Sequence, residues 1–191
     1  MKRALTILLL SLIGVAAFPQ SDALPDDLRQ VVEKERYLRV MFYNCENYFD
    51  VDDDPEKNDD EFTPDGEKHW TKQRFYTKRA QIAKAIAAVG GWRPPDIIGL
   101  CEVESRYAVE SLVNSSNLRR FEYKFLHKES PDSRGIDVVM LYQPKRFKPF
   151  NVTYIPVNVK KNGRETRDII MASGTTIDGD TLHDCVNHWP S

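Results

Sequence analysis

The chain has 191 residues, a formal net charge of −2 and an ordinary globular composition, with 41% hydrophobic and 29% charged residues. This length allows one domain with a substantial core, or half of a larger domain. A mildly acidic chain is not a general nucleic-acid binder that works by counterion release, although it could act on nucleic acid through a local basic surface or through metal ions.

The first 18 residues predict a secretory signal peptide. Lys2 and Arg3 precede an apolar run that extends to Phe18, and the small residues VAA just before Phe18 offer a cleavage site. The run is short for a membrane span, and an uncleaved N-terminal anchor is the alternative. We therefore expect a secreted or periplasmic protein with no stable membrane span after cleavage, in which residues 19–36 form an exposed leader.

Hydrophobic periodicity predicts alternating strands and helices in the rest of the chain. An aromatic strand at 37–49 is followed by an acidic loop, and an amphipathic helix of roughly five turns begins at Thr71 and ends at Gly90. The remaining predicted elements are a strand at 97–104, a helix at 106–114 and strands at 121–127, 136–143, 150–157, 167–176 and 181–189. An Asp-Gly pair at 178–179 predicts a hairpin between the last two strands. This order predicts an α/β fold with layers of mixed β-sheet and outer helices.

The acidic loop, residues 50–68, partly matches a calcium-binding loop. Five of its residues fall at ligand positions of the calcium-loop template: Asp50, Asp52, Asp54, Asn58 and Glu61. The template requires glycine at position 6 for a sharp turn, and this chain has Pro55 there. We therefore favour a solvated rim beside the active site over an EF-hand-like site.

Three widely spaced cysteines each lie in a predicted strand: Cys45, Cys101 and Cys185. They have no C-x-x-C arrangement, so they predict no zinc site. One disulfide could form in an exported protein, but buried thiols packed within the strands are the favoured interpretation.

Five polar residues lie near the ends of predicted strands: Asn44, Glu102, Arg134, Arg167 and His188. In layered α/β folds, the strand ends form the crevice where ligands bind. A carboxylate at the end of a buried strand is costly unless it is paired or bound to a metal. Each residue alone has a structural explanation, such as a turn asparagine or a core histidine, but their joint placement predicts a site.

Six segments carry a family resemblance, in this order: MFYNCENYFD, NDDEFTPDGEKHWT, PDIIGLCEVES, DSRGIDVVMLYQP, TRDIIMASG and VNHWPS. Together they resemble the endonuclease/exonuclease/phosphatase superfamily of metal-dependent phosphodiesterases, which includes deoxyribonuclease I-like enzymes. The resemblance extends from about Tyr37 to Ser191. It implies a four-layered sandwich of two mixed sheets with outer helices and a single site at the strand tips.

The resemblance also implies roles for the five polar residues. Asn44 corresponds to the active-site asparagine, and Glu102 to the principal metal-binding glutamate. His188 matches a catalytic histidine that also contacts phosphate, Arg167 matches a phosphate-contacting position, and Arg134 falls near another one. Oxygen ligands from Glu102 and Asn44 suit Mg²⁺ or Mn²⁺, with Ca²⁺ as a further candidate. Such an ion serves as Lewis acid and template.

The implied function is an exported, divalent-metal-dependent phosphodiesterase or nuclease, with nucleic acid as the expected substrate. A basic rim for nucleic acid is predicted from Lys145, Arg146, Lys148, Lys160, Lys161 and Arg164. Two alternatives stay open. One is a phosphatase or phospholipase of the same fold, acting on a phosphorylated small molecule or lipid, and the other is a non-catalytic binding protein.

In the family pattern, VNHWPS is followed by the second sheet, which carries an Asp-x-Asn pair, a further Asp and a closing Asp-His. None of these motifs follows His188 in this sequence. We therefore expect residues 37–191 to be the N-terminal half of the domain, truncated at the C-terminus and inactive alone. An exposed apolar patch is expected at or beside Ile169, Met171, Val186 and Trp189, because the last two strands are apolar on both sides.

Overall fold

The computed structural model of the chain describes residues 38–90, 93–157 and 166–189. The predicted signal peptide and leader, residues 1–36, lie outside the described residues. So do three of the predicted rim residues: Lys160, Lys161 and Arg164. All the described residues belong to one unit, Arg36–Ser191.

Two α-helices and seven strands make up the described part of the chain. In order they are β1 (Val40–Tyr48), α1 (Lys72–Val89), β2 (Ile97–Val103), α2 (Arg106–Val113), β3 (Lys124–His127), β4 (Asp137–Tyr142), β5 (Phe147–Ile155), β6 (Ile169–Thr176) and β7 (Thr181–Val186). Short 3-10 turns occur at Asp60–Phe62 and Arg119–Phe121. Every predicted helix and strand is present, with boundaries shifted by a few residues.

The strands form a mixed sheet and an antiparallel sheet. The first sheet has the order β1-β2-β4-β3, with β1 parallel to β2 and the other pairs antiparallel. A parallel pair needs a long crossover, which contains α1 here. The second sheet has the order β5-β6-β7 and is antiparallel, so it begins before VNHWPS, whereas the family pattern placed the second sheet after it. The predicted hairpin joins β6 to β7, and Gly179 supplies its positive φ of 88°.

Hydrophobic cores lie on both faces of the first sheet. On one face, α1 and α2 contribute Ile82, Ile86 and Leu112, which pack against Leu100 and Val139 of the sheet. On the other face, the two sheets enclose a second core made of Ile97, Cys101, Val138, Met140, Phe147, Ile170, Ala172 and Val186. Together they give a layered α/β sandwich with outer helices, as predicted. The described residues form three of the four layers that the resemblance implies.

Gly99 lets this second core close tightly. A Cβ atom at this position would lie 3.0 Å from the Phe42 ring and 3.1 Å from a methyl carbon of Val186. These contacts are tighter than side chains usually tolerate, so glycine fits where β1, β2 and β7 approach one another.

Side-chain caps mark the start of both helices, and the cap at Thr71 is the one that the sequence pattern predicts. The Thr71 side chain accepts a hydrogen bond from the Arg74 amide at 3.4 Å, and α1 ends at Gly90 after 18 residues. The Ser105 side chain accepts one from the Ala108 amide at 3.1 Å. Among the described residues, no helix has the length and apolar character needed to cross a membrane.

The cysteines match the prediction at two of three positions. Cys45 and Cys101 are buried thiols, whereas Cys185 is exposed. The expectation for Cys185 was wrong, because it lies on β7, at the edge of the second sheet. Its side chain alternates with Val186, which points into the core between the sheets.

Candidate active site

Strands β1 and β2 both depart from regular pairing near their C-terminal ends, at the same edge of the first sheet. Their register shifts between Asn44 and Tyr48, and the pairing of β2 with β4 shifts between Cys101 and Val103. Glu102, inside the second irregularity, has a φ of 59°. A positive φ is rare for residues other than glycine, and a bulge of this kind re-aims the side chain it carries. The strained backbone therefore marks the edge where the predicted site residues lie.

Three predicted site residues, from three different strands or strand ends, meet at this edge. Asn44 Nδ2 donates to Glu102 Oε1 at 3.2 Å, and the backbone amide of Asn47 donates to Glu102 Oε2 at 3.0 Å. His188 Nε2 lies 3.6 Å from Glu102 Oε1. The side chains of Glu102 and His188 are 17% and 21% exposed, so a ligand can reach both.

One ring nitrogen of His188 has no hydrogen-bond partner among the described residues. This nitrogen, Nδ1, is buried. Burial lowers the pKa of His188, and the positive charge of Arg167 lowers it further. The imidazole is therefore neutral at neutral pH and can accept or pass a proton. A buried, unpaired nitrogen at a site edge is a position where a ligand or water would bond.

Arg167 is buried, and all three of its guanidinium nitrogens have partners. Nε donates to the His188 carbonyl at 2.9 Å, Nη1 to Asp132 Oδ2 at 2.9 Å and Nη2 to the Trp189 carbonyl at 3.3 Å. These bonds hold the segment that carries His188 in place. The structure thus shows Arg167 as a positioning residue, and its contact with phosphate stays a prediction.

Arg134 lies beside the same aspartate but is far more accessible. Its amide and its Nε both approach Asp132 Oδ1, at 3.0 and 3.4 Å. Its side chain is 50% exposed, and its charge acts on His188. The rest of this guanidinium can reach a ligand at the site edge, which is consistent with the predicted phosphate contact.

Asp132 itself escaped the sequence analysis. It bridges Arg134 and Arg167 and is buried, yet it sits in the polar stretch ESPDSRG, where it resembles an ordinary loop residue. Lys57 also escaped notice: its Nζ donates to the carbonyls of Ser130 at 2.9 Å and Asp132 at 3.2 Å. The only sequence signal for these two residues was the neighbouring Arg134-Gly135 pair, which marks a loop whose conformation other residues must hold.

A second polar group lies near this loop, formed by His127, Glu129 and Asp137. Among the described residues it is the group whose ligand atoms, all within 4.8 Å of one another, could hold a metal ion. His127 Nε2 lies 3.0 Å from Asp137 Oδ2, and both side chains are almost fully buried. The Ser130 amide donates to the other Asp137 oxygen at 2.9 Å. These contacts also explain the group structurally, as an anchor for the loop after β3.

The carboxylate of Glu102 fits the divalent metal that the resemblance implies. Each of its oxygens accepts one hydrogen bond and keeps a lone pair, and a side-chain amide lies beside it. One carboxylate with open positions is the donor set that suits Mg²⁺, which keeps several waters. Glu102, with Asn44 beside it, would hold the ion.

The acidic loop is more than a solvated rim. Asp50 and Asp59 are buried, and both lie next to the buried Glu104. Glu104 Oε2 accepts from the Asp50 amide at 2.6 Å, and Ser105 donates to Asp50 Oδ2 at 2.6 Å. The expectation of a wholly solvated loop was therefore wrong for these two aspartates. They attach the loop to the end of β2.

One residue of the predicted basic rim, Arg146, does not lie on a rim beside the site. Arg146 is buried and pairs with Asp96 at 3.3 Å. Asp96 precedes β2, whereas Glu102 lies near its end, so Arg146 occupies the opposite edge of the sheet. Lys145, the residue before Arg146, pairs with Glu122. Arg146 is therefore removed from the predicted rim, because its charge neutralises a buried aspartate.

The chain belongs to the Endonuclease/Exonuclease/phosphatase family, whose model matches residues 39–191. Members of this family are hydrolases that act on phosphoester bonds, and they generally use divalent metals. No curated protein sequence matches the chain.

Solved structures resemble the chain at low sequence identity. TDP2 of D. rerio, humanized by 14 mutations, is 14% identical with a TM-score of 0.50, covering 78% of this chain and 45% of its own. The human Nocturnin catalytic domain is 18% identical, with a TM-score of 0.48, 63% coverage of this chain and 45% of its own. A mannosyl-6-phosphatase of Bacteroides thetaiotaomicron is 13% identical, with a TM-score of 0.45, 78% coverage of this chain and 50% of its own. The chain thus spans half or less of the length of these structures.

Proposed function

We propose that this edge of the first sheet is the phosphate-binding part of a divalent-metal-dependent phosphodiesterase. The observation that carries the proposal is the convergence of Glu102, Asn44 and His188 on a strained, accessible strand end. A metal bound at Glu102 would supply Lewis-acid chemistry and neutralise charge on the phosphate.

The protein's own residues account for the remaining requirements of phosphoester hydrolysis. Asn44 and the Asn47 amide hold the Glu102 carboxylate in one orientation. His188, as a neutral imidazole, can donate a hydrogen bond to a phosphate oxygen from one ring nitrogen. Arg134 can place positive charge against the same group. Orientation and charge neutralisation make up most of the catalysis of phosphoryl transfer.

The test is replacement of Glu102 by glutamine, which keeps the shape and removes the charge. We expect Glu102→Gln to lose Mn²⁺ binding, measured by calorimetry, and at least about a hundredfold of any metal-dependent hydrolysis of bis(p-nitrophenyl) phosphate. Calorimetry can be applied even to a form of the protein that turns over slowly. Unchanged Mn²⁺ binding and hydrolysis in this variant would remove Glu102 as the ligand.

Glu129→Gln is the matched control, because it removes one carboxylate from the other group that could hold a metal. That side chain is 60% exposed, so the fold should tolerate the change. We expect this variant to bind Mn²⁺ like the parent. Loss of binding in Glu129→Gln together with retention in Glu102→Gln would move the metal to the group around His127.

Nucleic acid is the substrate we favour, and a phosphorylated sugar or lipid is the alternative. The support is the family resemblance together with the accessible Arg134 at the site edge. Comparing the hydrolysis of an oligonucleotide, a sugar phosphate and a phospholipid under one set of conditions separates these substrates.

A further inference from the structure

A groove lies between α1 and the loop that precedes it, outside the site described above. It has a volume of about 390 Å³, and its walls carry two aromatic residues, Phe62 and Trp70, and three cations, Lys68, Arg74 and Lys78. We call it the α1 groove. A cavity of this size is enough for a small molecule or for one unit of a polymer.

The charge of the α1 groove is positive after its ion pairs are counted. Lys68 is compensated by Glu61 at 3.2 Å and by Glu67 at 3.6 Å. Within the described ranges, no carboxylate forms an ion pair with Arg74 or Lys78. Two cations one helical turn apart therefore remain to attract an anion.

Both cations keep donors for a ligand while their side chains are held by carbonyl groups. Arg74 Nη1 donates to the carbonyls of Lys68 and His69. Its Nε and Nη2 make no hydrogen bond to the part of the chain that the structure describes. Lys78 Nζ donates to the Glu46 carbonyl at 3.0 Å, which leaves two of its three protons. These donors suit the oxygens of a phosphate group.

The aromatic wall of the groove is rigid. Trp70 Nε1 donates to the Phe49 carbonyl at 2.9 Å, and its ring meets the Phe62 edge at a centroid distance of 5.9 Å. Phe62 is in turn stacked on Phe49 at 4.1 Å. A fixed, half-buried indole beside two cations is the combination on which nucleic-acid bases stack while their phosphates are neutralised.

The groove is connected to the candidate active site through one residue. Lys78 bonds to the carbonyl of Glu46, and the Glu46 amide donates to Asn44 Oδ1 at 2.8 Å. Lys78 is therefore linked through Glu46 to Asn44, at the edge that carries Glu102.

We propose that the α1 groove binds one nucleotide of a single-stranded polynucleotide, with the base against Trp70 and the phosphate between Arg74 and Lys78. This inference rests on the proposed phosphodiesterase function, since it names the substrate class of that site. It assigns the recognition of single strands to a surface outside the catalytic edge.

The experiment measures the fluorescence anisotropy of a labelled single-stranded oligonucleotide with the full 191-residue chain in EDTA, where metal-dependent hydrolysis cannot occur. We expect the double variant Arg74→Gln/Lys78→Gln to bind at least about tenfold more weakly. The slope of log K against log salt should become less steep by roughly 0.7, because the two cations neutralise one phosphate and each phosphate on a single strand contributes about 0.7. Lys84→Gln, an exposed position of α1 outside the groove, should bind within about twofold of the parent.

An oligonucleotide of the same length with abasic sites tests the stacking part of the proposal. It keeps the phosphates and lacks the rings, so we expect it to bind several-fold more weakly. Any of three results would overturn the assignment of the groove: equal binding of the abasic strand, an equal loss of binding in Lys84→Gln, or unchanged binding in the double variant.

The same experiment separates this inference from the proposed function. Glu102→Gln should lose Mn²⁺ binding and keep oligonucleotide binding. If the parent chain hydrolyses bis(p-nitrophenyl) phosphate but the groove variants bind oligonucleotide normally, only the groove assignment fails. If the groove variants lose oligonucleotide binding but the parent chain does not bind Mn²⁺ through Glu102, the proposed function fails and the binding site stands.

Discussion

Glu102 combines an ordinary sequence position with an unusual backbone conformation. Its place at the end of an apolar strand predicts a functional carboxylate, but its φ of 59° depends on a shift in pairing with β4. A conformation of this kind costs on the order of 1–3 kcal/mol and persists only where the surrounding structure holds it. Here the Asn44 side chain and the Asn47 amide hold the carboxylate.

Glu104, two residues further on, is a buried carboxyl among other carboxylates. Burial raises its pKa from 4.5 to about 9, and the negative charge of Asp50 contributes in the same direction. Asp59 Oδ1, which is buried, has no hydrogen-bond donor among the described residues. A protonated Glu104 beside Asp59 can supply that donor.

This arrangement predicts a stability that falls as the pH rises. Between pH 4.5 and about 9, the unfolded chain has lost the Glu104 proton and the folded chain keeps it, so unfolding becomes easier by at most about 1.4 kcal/mol per pH unit. We expect Glu104→Gln to flatten this slope and to stabilise the protein at pH 8, because the amide keeps a donor towards Asp59. Urea unfolding at several pH values measures both effects.

Glu67→Gln is the control for this series, since Glu67 is 80% exposed and forms only a surface pair with Lys68. Its pH dependence should follow that of the parent. A Glu104→Gln variant with the parent's slope would show that Glu104 is ionised in the folded protein.

At the scale of elements, α2 is tied to the acidic loop through its cap. Ser105 accepts the Ala108 amide and also donates to Asp50 at 2.6 Å, so one hydroxyl starts a helix and holds a loop. The cap of α1 only starts its helix, and its hydrogen bond from the Arg74 amide to the Thr71 side chain is longer, at 3.4 Å.

Ser105→Ala should therefore destabilise the protein more than Thr71→Ala. Loss of a cap costs about 1 kcal/mol, and Asp50 would also lose a donor while partly buried, which adds about 1–3 kcal/mol. Thermal or urea unfolding of the two variants, compared with the parent, measures the difference. Equal losses for the two variants would mean that the Ser105–Asp50 bond contributes nothing to stability.

On the scale of the whole molecule, the two sheets leave one side of their shared core open. Val40 and Phe42 lie on the face of β1 that turns towards the second sheet, and they are 60% and 57% exposed. Trp189, which was predicted to be exposed, is 60% exposed, whereas Val186 is buried. Ile169 and Met171 are half-buried. The open apolar side therefore includes β1, which the sequence did not indicate.

We expect residues 19–191 expressed alone to self-associate or to bind a hydrophobic dye, because soluble monomers seldom expose apolar sheet faces. Phe42→Ser should reduce dye fluorescence, and Phe150→Ser, equally exposed but on β5, should change it little. Dye fluorescence and light scattering measure the outcome. A monodisperse, cooperatively melting monomer that ignores the dye would contradict the expectation.

The local sequence alone predicted every α-helix and strand of the described chain, both α-helix starts and the Asp-Gly hairpin. These features depend on neighbours within a few positions, through hydrophobic period, capping and turn chemistry. The placement of Asn44, Glu102 and His188 near strand ends, together with the family resemblance, also predicted that these three side chains lie close together.

Tertiary contacts decided the rest. Arg167 was predicted to contact phosphate, and the structure adds a partner for each of its guanidinium nitrogens: Asp132 and two carbonyls that the sequence does not place near it. Arg146 is withdrawn from the surface by Asp96, and Cys185 is exposed because β7 lies at the edge of its sheet. In each case the environment of the side chain depends on groups that are distant in the sequence. A sequence pattern shows the periodicity of a helix or strand face, but it does not show which groups pack against that face.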